Sequence, residues 1–315
     1  MTRREWFLAL VPSLPRRSRQ QLLKNMQLVM GPLPRRSKAP LEMVVLETAE
    51  LASLTRMKIT FRAEPDDPVP AYLLLPRETP APAVLCLHQN VRLGKAEPAG
   101  LAGNADLHYA RELAGRGYLT LAPDYPNLGE YSIDPYQRGY ASATMKGIWN
   151  HMRAVDLLES LPQVARNRIG CLGHSLGGHN TLFLAAFDRR VKAMATSCGF
   201  TSFAKYKGGD LSGWSHKGYM PRIADRYGKD PARMPWDFPE LLAALAPRPL
   251  FINAPLGDSN FDVSGVKDCV QAATPAYRKA WAAERLLTLY PDCGHEFPPA
   301  IREQAYAFFD RWLRG

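Results

Sequence analysis

Long apolar runs are missing from this 315-residue chain. Nothing approaches the roughly 20 consecutive apolar residues that a membrane-crossing helix needs. Cysteine is also scarce. There are five, an odd number, with no C-x-x-C and no Cys/His spacing of a zinc module. That excludes a disulfide scaffold and a zinc ribbon, and Cys86 and Cys171 fall in apolar runs where a free thiol behaves as a small hydrophobe. The expectation is a reducing, cytoplasmic setting. Glycine-rich repeats, heptads and low-complexity tracts are absent as well, so collagen, coiled coil and disorder are set aside.

Acidic residues are few at one end only. The first forty residues hold nine Lys and Arg (Arg3, Arg4, Arg16, Arg17, Arg19, Lys24, Arg35, Arg36, Lys38) against Glu5 alone, so +8 of the chain's +10 net charge sits there. The remaining body is close to neutral, which argues against nucleic acid as a partner. Residues 1–40 therefore read as a basic N-terminal extension around one helix, Arg19–Met30, and 41–315 as the catalytic body. Arg3 and Arg4 resemble the start of a twin-arginine export signal. The apolar run behind them is short and breaks at Pro12, with no small-residue cleavage site.

From about residue 55 short apolar strands alternate with amphipathic helices. Met57–Arg62 and Val69–Leu75 read as strands without a helix between them, hence an antiparallel edge. Ala83–Leu87, Tyr118–Ala122, Arg168–Gly173, Val191–Ser197, Pro249–Ala254 and Leu286–Tyr290 read as buried strands. Between and after them helices are expected at Asp106–Arg116, around Met145–Leu158, at Gly177–Phe187, Val263–Ala283 and from Ile301 onward. This pattern predicts an α/β fold with a mostly parallel sheet covered on both faces. Phe200–Ala246 breaks the alternation, with eight aromatics and seven Lys or Arg over a length no ordinary connection needs. It is expected to be a cap over the active site, the alternative being an insertion that packs its own small core.

The sharpest chemical signal is Gly173-His174-Ser175-Leu176-Gly177-Gly178, a G-x-S-x-G placed between a strand and a helix. The turn lifts the Ser175 hydroxyl out of the sheet and aims the Leu176 N–H at a developing oxyanion. Serine alone is a poor nucleophile and needs a base. Among seven histidines, His295 in Cys293-Gly294-His295 follows the last strand, whereas His216 lies in the insertion, His179 on the following helix and His174 beside the nucleophile, pointing away from substrate. The acid should come between serine and histidine in chain order. Asp258 just after Pro249–Ala254 is the first choice, ahead of Asp262 and Asp292. A second oxyanion N–H is expected from Leu87-His88-Gln89-Asn90, either Asn90 or Gln89.

Together with the Pro123-Asp124-Tyr125 turn, these motifs resemble the α/β-hydrolase superfamily over residues 55–315, and within it the dienelactone-hydrolase and acetyl-xylan-esterase-like branch. The resemblance implies an eight-stranded sheet, a Ser–His–Asp triad, and no metal or organic cofactor. Dienelactone hydrolases proper use a Cys nucleophile, so lactone opening is not expected here. Ser175-Leu176-Gly177-Gly178 is also similar to the prolyl-oligopeptidase peptidases, whose large propeller domain does not fit in this length. The expected activity is carboxylic-ester hydrolysis through an acyl-enzyme. The substrate would be a small or carbohydrate ester with a flat or sugar-like surface, and a carboxylate on it would meet the basic insertion. The rivals are a peptidase or amidase on the same triad and a silent hydrolase-fold binding protein.

Overall fold

A computed structural model describes residues 18–34 and 39–315. The export-like segment at Arg3–Arg4 and most of the basic arm lie outside these residues. The described chain forms one sheet of nine strands: β1 (Val44–Glu50), β2 (Leu54–Glu64), β3 (Asp67–Pro76), β4 (Ala81–Leu87), β5 (Leu119–Pro123), β6 (Val164–His174), β7 (Val191–Ser197), β8 (Leu250–Asn253) and β9 (Leu286–Leu289). Their spatial order is β1-β2-β3-β5-β4-β6-β7-β8-β9. The run from β5 through β9 is parallel, and β1, β2 and β3 pair antiparallel.

The expected count was eight strands; β1 is the extra one. Its residues are exposed on both faces, so Val44-Val45-Leu46 carries no alternation of apolar and polar positions from which a strand is read. The predicted antiparallel edge at β2 and β3 is present, one strand further in than the rim. Its turn is tighter than expected, because Asp66 adopts a left-handed φ of 57° and lets the two strands close over Pro65 and Asp66.

The helices are α1 (Arg19–Met30), α2 (Tyr109–Gly115), α3 (Ala143–Ser160), α4 (Leu176–Phe187), α5 (Arg222–Tyr227), α6 (Phe238–Leu245), α7 (Val263–Lys279) and α8 (Pro299–Phe309). α2 and α8 bury Leu113, Tyr306 and Phe309 against one face of the sheet. The other face carries α3, α4, α6 and α7, with Trp149, Phe183, Leu242 and Tyr277 in a single continuous core.

α1 belongs to that same core. Leu22, Met26, Val29 and Met30 are buried in it, and Arg19 and Asn25 donate to the carbonyls of Ala186 and Pro235. The segment is basic, and the side of the helix facing inward is Leu/Met/Val at helical spacing. A division at residue 40 therefore does not part this helix from the body.

The strand order decides where chemistry can occur. The chain leaves β4 toward β5 on one side and returns to β6 on the other. The loops after β4 and β6 therefore diverge over the carboxyl ends of the parallel strands. Such a switch point opens a crevice there.

Candidate active site

Ser175 sits at that crevice, between the last residue of β6 and the first of α4. Its backbone is strained, with φ 53° and ψ −114°, and its N–H is held by the Ser197 carbonyl at 2.8 Å. The turn is possible only because its flanks are bare. A Cβ on Gly177 would lie 1.8 Å from the Leu87 carbonyl oxygen, and one on Gly173 would lie 2.3 Å from the Gly177 backbone. The G-x-S-x-G spacing is thus a steric requirement of strand and helix meeting at this angle.

His295 and Asp258 arrive on the loops after β9 and β8, which are neighbours in the sheet. His295 Nδ1 lies 2.9 and 3.0 Å from the two carboxylate oxygens of Asp258. An ionised carboxylate only accepts, so Nδ1 carries the proton and Nε2 is left as the base. The Asp258 side chain is only 2% exposed and that of His295 18%. Burial would raise the Asp258 pKa, but the His295 hydrogen bond and the N–H groups of Asn260 (2.8 Å) and Phe261 (3.1 Å) outweigh it and hold the group below its ordinary value. No Ser175–His295 hydrogen bond forms among the described residues; such contacts tighten when a substrate is engaged.

The competing acids go elsewhere. Asp262 caps α7, accepting from the Ser264 N–H at 2.7 Å and the Ser264 hydroxyl at 2.6 Å. Asp292 is exposed. Asp262→Ala should therefore cost about 1 kcal/mol of stability through the lost cap and leave kcat unchanged. A denaturant melt and an ester assay read the two effects separately.

The loop after β4 is braced from below. His88 is buried, and burial lowers its pKa, so it stays neutral. Its Nδ1 contacts the Gln89 carbonyl at 2.6 Å and its Nε2 accepts from the Tyr125 N–H at 3.0 Å. Buried Lys95 pairs with Asp124 at 2.7 Å, tying this loop to the Pro123-Asp124-Tyr125 turn. Of the two oxyanion candidates, Gln89 turns its side chain away, to Glu97 at 3.0 and 3.2 Å. Asn90 faces the insertion and donates from Nδ2 to the Tyr219 hydroxyl at 3.2 Å. Leu176, first residue of α4, has an N–H that the helix ladder leaves free.

His174 is buried beside the elbow, and its ring packs 4.8 Å from that of His295. It bonds Ser197 Oγ at 2.9 Å, which also accepts from Asn253 Nδ2 at 2.9 Å. Asn253 in turn donates to the Glu296 carbonyl at 2.9 Å, beside His295. This buried chain seats the histidine loop, and only the Ser175-adjacent position of His174 hinted at it. Cys198, Asp258 and His295 bring metal-type donors within 4.8 Å of one another, but the Asp258 hydrogen bond engages His295 Nδ1.

The insertion packs a core of its own against α4. Phe200, Phe203, Trp214, Trp236 and Phe238 are buried and stack on Phe183 of α4 or on one another. Only Tyr206, Tyr219 and Tyr227 of its eight aromatics are partly exposed. Several of its cations are also engaged: Lys205 with Asp268, Lys207 with the Ser259 carbonyl, Arg222 with the Leu28 carbonyl and Lys229 with Ser212. The suggested carboxylate-binding role gains nothing from this. His216 is at the surface, its ring 4.3 Å from Tyr219.

Burial keeps three further rings neutral. His151, His174 and His179 are each pushed down to about 3. In the unfolded chain they protonate near pH 6.5, so below that pH the unfolded state binds more protons and stability falls. Asp237 opposes them, because burial lifts it to about 6 and the folded state holds its proton longer. These three rings less Asp237 make two protons between about pH 6 and 4, or about 3 kcal/mol per pH unit, and neutral His88 adds to the same slope. The melting temperature should drop steeply and reversibly from pH 6.5 to 5. His179→Phe, set among Phe183, Trp214 and Tyr219, should flatten that slope by removing one proton.

A strained serine at a strand–helix turn, an Asp–His pair on the loops after β8 and β9 and a free helix N-terminal N–H define a serine hydrolase of the α/β-hydrolase fold. A profile of the prolyl oligopeptidase family matches residues 105–315, which include the elbow, the acid loop and the histidine loop. The chain belongs to that family. It is 26% identical over 314 residues to "Putative hydrolase YtaP" of Bacillus subtilis, covering 94% of this chain and 100% of that one. It is also 26% identical over 239 residues to 4-O-methyl-glucuronoyl methylesterase 1 of Wolfiporia cocos, covering 69% of this chain and 56% of that protein. Its fold superposes on a glucuronoyl esterase from Solibacter usitatus with TM-score 0.71 at 19% identity, over 93% of this chain and 91% of the other.

Proposed function

We propose that the protein hydrolyses carboxylic esters of carbohydrates through an acyl-enzyme. The observation that carries the chemistry is the Asp258–His295 pair, which leaves Nε2 bare at the carboxyl end of the sheet where the strained, partly exposed Ser175 also stands. Ser175 Oγ attacks the ester carbonyl while His295 Nε2 takes its proton. The charge that grows on the carbonyl oxygen is met by the N–H groups of Leu176 and Asn90. His295 then returns the proton to the leaving alcohol and draws one from water for deacylation. Asp258 remains ionised and stabilises the imidazolium at each stage. The carbohydrate part of the reading is supported by likeness to the glucuronoyl methylesterase.

The family name makes amide hydrolysis the rival. The test is a matched pair, p-nitrophenyl acetate and p-nitroacetanilide, assayed beside a methyl ester of a hexuronic acid, with Ser175→Ala as control. Turnover of both esters, with the anilide inert and the variant dead, is the expected result. Faster anilide than ester turnover would transfer the protein to the peptidases. No Ser175-dependent turnover and no labelling by a fluorophosphonate would leave a binding protein.

A further inference from the structure

The short run His216–Tyr219 of the insertion is fixed from three sides by the loop after β5 and the start of α3. The Tyr136 hydroxyl donates to the Lys217 carbonyl at 2.6 Å, the Tyr125 hydroxyl to that of Gly218 at 3.0 Å, and the Thr144 N–H to that of Tyr219 at 3.3 Å. The Gly218 N–H closes the turn on His216 Nδ1 at 3.1 Å. This anchoring holds the Tyr219 side chain in one place. Its ring packs on the cluster of Tyr125, Ala143 and Leu176, and its hydroxyl accepts from Asn90 Nδ2 at 3.2 Å.

Tyr219 thus packs on the cluster that holds Leu176 and is hydrogen-bonded to Asn90, the two residues whose N–H groups are assigned to the oxyanion. A phenol that accepts one hydrogen bond still has its own proton to give. Among the described residues nothing accepts the Tyr219 proton. Unlike the buried aromatics of the insertion, Tyr219 is partly exposed. We propose that Tyr219 is a third oxyanion donor, its O–H given to the substrate carbonyl oxygen while Asn90 fixes its orientation. No proton is transferred; the hydrogen bond shortens as negative charge develops and relaxes when the carbonyl re-forms. Burial lifts its pKa to about 12, so the hydroxyl stays protonated through neutral pH. The insertion then supplies a catalytic group, which accounts for the pinning of Lys217, Gly218 and Tyr219 in this one turn.

The proposal rests on the ester-hydrolase reading above. Tyr219→Phe keeps the ring and its packing and removes only the O–H. With p-nitrophenyl acetate, kcat should fall about 10²-fold with KM within about twofold, the loss expected for one oxyanion donor. Affinity for an alkyl trifluoromethyl ketone, which adds Ser175 to form an oxyanion, should fall by the same factor, whereas melting temperature stays put. A merely structural residue would move the melting temperature or KM and not the ketone affinity in step with kcat. Unchanged kcat, or unchanged ketone affinity, in an active and well-folded Tyr219→Phe overturns the proposal while leaving the triad standing. A wild type as inert as Ser175→Ala would sink the ester-hydrolase reading and this proposal with it.

Discussion

Asp258→Asn should lower kcat by about four powers of ten, with KM and the melting temperature nearly unchanged. The local geometry dictates the outcome. Oδ1 of residue 258 is held by the N–H groups of Asn260 and Phe261 at 2.8 and 3.1 Å, so an amide must keep its oxygen on that side. Its NH2 then takes the place of Oδ2, 3.0 Å from His295 Nδ1. The retained Oδ1 stays 2.9 Å from Nδ1, so the donor at the Oδ2 position competes with that bond and weakens the hold on the tautomer whose bare Nε2 accepts the serine proton. The charge that stabilises the imidazolium is lost as well. Steady-state rates with p-nitrophenyl acetate and a near-ultraviolet circular dichroism spectrum check the two halves. Activity within tenfold of wild type would move the acid role away from Asp258.

Gly177→Ala should be the most damaging single methyl group in the chain. Its Cβ would sit 1.8 Å from the Leu87 carbonyl oxygen, 2.6 Å from the Leu87 carbonyl carbon and 3.0 Å from the His88 carbonyl oxygen. All three are backbone atoms of a central strand and the oxyanion loop, with no flexible side chain to give way. Relief requires moving α4 off the sheet, at a cost on the order of 4 kcal/mol, comparable to the most severe point substitutions. Loss of soluble protein or a large drop in urea midpoint is expected, together with loss of turnover in whatever remains folded. Gly115→Ala is the matched control. It lies at the end of α2 with only Ser53 Oγ at 4.0 Å, and it should be neutral or slightly stabilising. Equal stability of the two variants would contradict the close approach at the elbow.

Much of this architecture was legible because its signals are local. Buried parallel strands are short apolar runs, and α3, α4 and α7 carry apolar residues at helical spacing. Helix α1 was expected over the residues where it occurs. Elsewhere the boundaries slipped for identifiable reasons. The helix expected over Asp106–Arg116 is a single tight turn at Ala105–Leu107 followed by α2, because His108 leaves the helical region with ψ 30°. α7 stops at Lys279, before Trp281, which takes a left-handed φ of 55°. Strand β1 was not legible, since a rim strand open on both faces has no burial period to display.

The site divides in the same way. Order along the chain and position after particular strands singled out Ser175, Asp258 and His295, and the fold brings the last two into contact. That pairing depends on β8 and β9 lying side by side, which the alternation of elements already implies. Tyr219, the Ser197–Asn253 chain behind His174 and the docking of α1 depend instead on contacts between residues far apart in sequence. Composition made the insertion look like an aromatic, basic binding surface. In three dimensions five of its aromatics are core, and Lys205, Lys207, Arg222 and Lys229 are tied to nearby groups. Which side of an irregular segment faces inward is settled by what it packs against, since a segment without helical or strand period carries no pattern to announce it. The sequence by itself determined the elbow and the order of the triad, because a methyl-free turn and a fixed succession of strands are requirements of covalent geometry and chain topology. Only the tertiary structure decided what lines the crevice around them, because packing across hundreds of residues chooses which polar tips point in.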